Sequence, residues 1–123
     1  MTDALVFLHT LGARALIAFA LLLGIWGAYG YFRHGAVSGG FRSSYLIMAG
    51  LTAVQGLFGI ALYITGHVPS RGVLHIVYGI FAVLFLPGAY VWAQSGSKRR
   101  EAVILAAGAW IVAIAYLRGY TTG

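Results

Sequence analysis

The chain has 123 residues, 61% hydrophobic and 8% charged, with a mean hydropathy of +0.90. A soluble domain carries about 25% charge, so composition excludes a soluble fold and indicates an integral membrane protein. The net charge of +6 resides mainly in polar breaks and gives no argument for nucleic-acid binding, while the absence of cysteine excludes disulfides, thiolate metal sites and thiol catalysis.

Four apolar stretches follow in order: Leu5–Phe32, Tyr45–Thr65, Gly72–Trp92 and Ala102–Leu117. About 20 apolar residues suffice to cross a hydrocarbon core as a helix, with every backbone polar group satisfied internally. The prediction is an all-α, up-and-down bundle of four transmembrane helices, one domain over residues 1–123. The first stretch is too long for a removable signal peptide, and Asp3 stands at its flank where basic residues belong. Polar breaks fall at Arg33–Arg42, Gly66–Arg71 and Gln94–Glu101, and Pro87 is expected to kink the third helix.

Basic residues set the orientation. Arg33, Arg42, Lys98, Arg99 and Arg100 gather on one face, against Arg71 and Arg118 on the other, with Arg14 buried nearby. The first face is therefore cytoplasmic and both termini lie on the outer face. Tyr29, Tyr31, Tyr45, Tyr90 and Trp92 are expected to ring the cytoplasmic interface, and Tyr63, Tyr116 and Tyr120 the outer one. The chain reads as a multi-pass protein of a prokaryotic cytoplasmic membrane.

Small residues recur at helix-packing intervals: Ala20, Gly24 and Ala28; Ala49 and Ala53; Gly56 and Gly59; Ala102 and Ala106; Ala109 and Ala113. They let backbones approach where lipid supplies no hydrophobic drive.

Polar groups within a span are costly and point to function. They are few: His9, Thr10 and Arg14 in the first stretch, Thr52 and Gln55 in the second, His75 in the third. The first and third helices both start at the outer face, so His9 and His75 lie at matching depth. Two imidazoles facing each other across a bundle can serve as metal ligands to a flat macrocycle such as heme. Gly12 and Ala13 follow His9 on its own helix face, and Gly79 follows His75. Small side chains there would leave a slot beside each ring. Arg14 and Arg71 lie near the same level and suit propionates. Taken singly, each histidine also fits an interfacial residue bonded to a carbonyl or water. Arg14 equally fits a side chain reaching to the interface, and Gln55 reads as helix-to-helix glue. His34 reads as a solvated loop residue and His67 as part of an ordinary turn with Gly66 and Pro69.

The run Val54-Gln55-Gly56-Leu57-Phe58-Gly59-Ile60, then Thr65-Gly66, Pro69 and Leu74-His75-Ile76, resembles the heme A synthase family, as does Leu8-His9 before a long apolar span. That family has two related four-helix halves, each with a histidine pair near the outer face, and this chain looks like one half. The resemblance implies that His9 and His75 are axial heme ligands. Where the substrate-handling half carries a glutamate and an arginine around its first histidine, this chain has Val6 and Thr10, and the cysteine pair of many members is absent. What the resemblance then implies is the cofactor-holding half, with a b-type heme and no catalytic acid.

Two functions are expected to compete. One is a heme-binding membrane protein for electron transfer or heme handling, which a homodimer would restore to the two-half arrangement. The other is an accessory subunit of a larger respiratory or photosynthetic membrane complex, with no cofactor or with a bacteriochlorophyll-type pigment. A transporter is disfavoured because no acidic residue lies within a span. Asp3 and Glu101 fall on opposite faces, which excludes paired-carboxylate catalysis. Gly24, Gly27 and Gly30 follow no strand and form no phosphate loop.

Overall fold

The helices run somewhat beyond the apolar stretches that define them. The computed structural model describes residues 2–66 and 72–122. It contains α1 (Thr2–His34), α2 (Gly39–Ile64), α3 (Gly72–Ala93) and α4 (Lys98–Thr122). All four are long and apolar enough to cross a membrane. The protein is a multi-pass, four-helix membrane bundle. His67 and Arg71 lie outside the described residues.

Local chemistry explains why the helices outrun the spans. Gly35 adopts φ +63°, a left-handed cap that lets its N–H reach the Tyr31 carbonyl and the Ala36 N–H reach that of Gly30. The next helix starts only four residues later, because the Ser38 hydroxyl accepts from the Phe41 N–H at 3.1 Å. Ser97 likewise caps α4 through the Arg100 N–H. The broad polar break expected at Arg33–Arg42 is thus a tight turn. Pro87 sits inside a continuous α3.

α4 packs along both α1 and α3, while α2 packs along α1 and more loosely along α3. Half of the most apolar part of α4 is buried, far more than in any other helix. Its small side chains are the cause: Ala102, Ala106, Ala109 and Ala113 are all buried, which brings neighbours close on two sides. A β-carbon on Gly27 would stand 2.9 Å from the Ala106 Cβ, and one on Gly24 would stand 2.7 Å from the Trp110 ring. The core at the end of the bundle where α2 and α4 begin is filled by Phe41, Tyr45, Met48, Leu86 and Leu105.

Two aromatic placements differ from expectation. Tyr45 and Tyr116 are core residues rather than interface residues. The Tyr45 hydroxyl donates to the Leu86 carbonyl at 3.2 Å, and the Tyr116 hydroxyl pairs with that of Thr52. A hydrogen-bonded phenol can be buried in the bundle. Tyr29, Tyr63, Tyr120 and Trp92 are exposed as expected for interface residues.

Candidate histidine site at the outer end of the bundle

α1 and α3 stand on one diagonal of the bundle, and both begin at the same end. Residues at similar distances from their starts therefore share a level. His9 and His75 meet across this diagonal with ring centroids 6.2 Å apart and planes at 65°.

The His75 ring is oriented by α4. Its Nδ1 lies 2.8 Å from the Gly119 carbonyl oxygen. A carbonyl only accepts, so Nδ1 carries the proton and the neutral ring keeps its lone pair on Nε2. The Thr122 hydroxyl stands 3.3 Å from the same Nδ1.

His9 is seated by α2. Its Cε1 would be 3.2 Å from a β-carbon on Gly59, so the absence of a side chain there gives the imidazole its place. The Gln55 amide donates to the His9 backbone carbonyl and holds this turn of α1 against α2. The Nδ1 of His9 is buried with no hydrogen-bond partner, although buried polar atoms ordinarily have one.

The flanking residues divide into filled and open sides. A β-carbon on Gly12 would meet the Gln55 Oε1 at 2.2 Å; the slot expected there is occupied by the Gln55 side chain. Ala13 is half-buried beside it. Gly79 is exposed, and a β-carbon there would have nothing within 4 Å. Gly79 thus leaves a bare, outward-facing stretch of α3 at this level. Arg14 is exposed, and its Nε donates to the Tyr120 hydroxyl at 3.1 Å. Val6 and Thr10 are exposed, as is His34, whose ring rests near Tyr29.

Among the described residues, no three His, Cys, Asp or Glu side chains gather as a metal cluster. Axial ligation of a macrocycle calls for only two protein ligands, because the ring supplies the rest.

Sequence reasoning missed a polar cluster at the opposite end. Arg42 donates through Nε and NH2 to the two Glu101 oxygens at 2.9 and 2.7 Å, and Gln94 donates to Oε2 at 3.1 Å. The available signal was that Glu101 is the one acid on the strongly basic face.

No family model, curated protein or solved structure matches this chain.

Proposed function

We propose that the bundle holds a b-type heme between His9 and His75 near the outer face, and serves electron transfer or heme handling. The observation that carries this reading is the centroid separation of 6.2 Å. Two imidazoles on opposite sides of one metal, with bonds of about 2 Å, have centroids about 6 Å apart.

The donor set fits the group. His75 keeps its Nε2 lone pair free because Nδ1 is committed to Gly119, and ligating histidines commonly donate their other ring N–H in this way. The buried, unpartnered Nδ1 of His9 marks an imidazole whose polar atoms the protein alone does not satisfy. The open side at Gly79 is where a flat ring would lie, and Gln55 blocks the side at Gly12. Of Arg14 and Arg71, Arg14 is the one described, and with Nε given to Tyr120 on α4 its terminal N–H groups are those that would meet a propionate. Such a heme would supply one-electron redox chemistry, and filling both axial positions disfavours oxygen binding. The likeness to one half of the heme A synthase family belongs to this reading. So does a homodimer, or a place in a larger membrane complex.

The test is a reduced-minus-oxidised absorption spectrum of detergent-purified protein, together with His9→Ala and His75→Ala variants. A sharp b-type band lost in both variants is the expected result. A colourless protein, produced with heme available, would overturn the proposal, and extraction of a chlorophyll-type pigment would replace it with the accessory-subunit reading.

A further inference from the structure

The cytoplasmic face is charged out of balance. Arg33, Arg42, Lys98, Arg99 and Arg100 stand there with one carboxylate, Glu101, and that carboxylate is paired with Arg42. Lys98 lies within electrostatic reach of the same carboxylate, and Arg33, Arg99 and Arg100 form no ion pair among the described residues. Arg100 is partly occupied, since its NH1 donates to the Trp92 carbonyl at 2.8 Å and also to the Ser95 carbonyl. This guanidinium closes the α3–α4 turn and lies over the Trp92 ring, 4.9 Å from its centroid. The Arg99 guanidinium lies 5.1 Å from the Tyr31 centroid. Arg99 makes no hydrogen bond among the described residues, so stacking holds the group in place while its N–H donors stay unused.

Between these two arginines lies an open groove of about 400 Å³. Tyr31 and Trp92 line its sides, and Val103 and Ile104 continue it along α4 toward the apolar interior of the membrane. Cations stand at the aqueous end, aromatic rings at the interface and aliphatic side chains below. This sequence of chemistries matches a single anionic phospholipid, from phosphate to glycerol to acyl chain. Basic residues place the groove in the cytoplasmic leaflet, which carries the negative surface potential.

We propose that this groove binds one anionic phospholipid, with the phosphate on Arg99 and an acyl chain along Val103 and Ile104. The site is independent of the histidine pair, which lies at the other end of the bundle.

Native mass spectrometry after release from nanodiscs tests the proposal, using equal parts phosphatidylglycerol and phosphatidylcholine. The expected result is one retained phosphatidylglycerol per chain. Arg99→Gln should lower its occupancy about fivefold, the effect of one basic contact near the membrane surface. Ile104→Trp, which fills the groove and leaves every charge in place, should lower it as well. Arg33→Gln, which removes a charge outside the groove lining, should have little effect. Circular dichroism confirms that each variant is folded. Equal losses for Arg33→Gln and Arg99→Gln, or full retention in folded Ile104→Trp, would overturn the site in favour of diffuse attraction. Displacement of the lipid by inorganic phosphate would overturn the acyl-chain contact and leave a phosphate site; insensitivity to it supports the whole lipid.

Discussion

The ion pair between Arg42 and Glu101 gives an asymmetric prediction. Breaking a buried pair by removing one partner costs about 3–5 kcal/mol. Here burial is unequal: the Glu101 side chain is 8% exposed and that of Arg42 is 32% exposed. Arg42→Met leaves a buried carboxylate with the Gln94 amide as its remaining side-chain donor among the described residues and Lys98 as the nearby charge, and water reaching the Arg42 side reduces the expected loss to about 2–3 kcal/mol. Glu101→Gln leaves a guanidinium that can turn toward water, for a loss of about 1 kcal/mol. The double variant, with neither charge present, should lose about 1–2 kcal/mol, less than the two single losses combined. Equilibrium unfolding in mixed detergent–dodecyl sulfate micelles, followed by circular dichroism, reads all three. If Glu101→Gln proves as damaging as Arg42→Met, or if the single losses simply add, the account of burial at this site is wrong.

Other substitutions probe the packing and the histidine site. Gly27→Leu should destabilise by about 2–3 kcal/mol because its side chain meets the Ala106 backbone as well as its Cβ. Gly50→Ala, with open space at the same distance, should be neutral or stabilise by up to about 1 kcal/mol; the same micelle titration compares the two. Thr52→Val removes the partner of the buried Tyr116 hydroxyl and should cost about 1–2 kcal/mol, with part of that recovered when Tyr116→Phe is added. Gly59→Leu displaces His9 from its seat. It should weaken heme binding by about tenfold or more while leaving helix content intact, and a titration with hemin reads the change.

The parts of this structure legible in the sequence are those that depend on distance along a helix. Span length and hydropathy locate α1 and α3 to within three residues but start α2 six residues late and end α4 five residues early, and the shared start of the odd helices places His9 level with His75. Contacts that depend on the rotation of one helix against another were not legible. Gln55 reads as glue from its polarity alone, but its choice of Gly12 as the surface to cross depends on the facing of α2. Tyr45 and Tyr116 match interface aromatics by position, and only the acceptor on α3 and the hydroxyl on α2 identify them as core residues.

Glycine shows the limit most clearly, because the same residue produces opposite results in one bundle. On α1, Gly24 and Gly27 face Trp110 and Ala106, and α4 closes onto them. Alanines on α4 bring that helix close to α1 and α3, so the missing side chains become close contact. Along α2 and α3, Gly56, Gly59 and Gly79 also remove side chains, but the closest approach near them is to Val83 and to the His9 ring, and Gly79 has nothing at all within reach. Glycine on both of two loosely packed helices leaves few atoms to span the gap between them, and dispersion contacts across a gap fall away quickly. Near His75 the α3 surface is therefore bare at Gly79, while α4 supports the His75 ring through the Gly119 carbonyl. A leucine at position 79 would cover this bare stretch of α3 and, one turn beyond His75, would crowd its ring. Gly79→Leu should thus weaken hemin binding, and unchanged binding in a folded Gly79→Leu protein would remove this side of α3 from the proposed site.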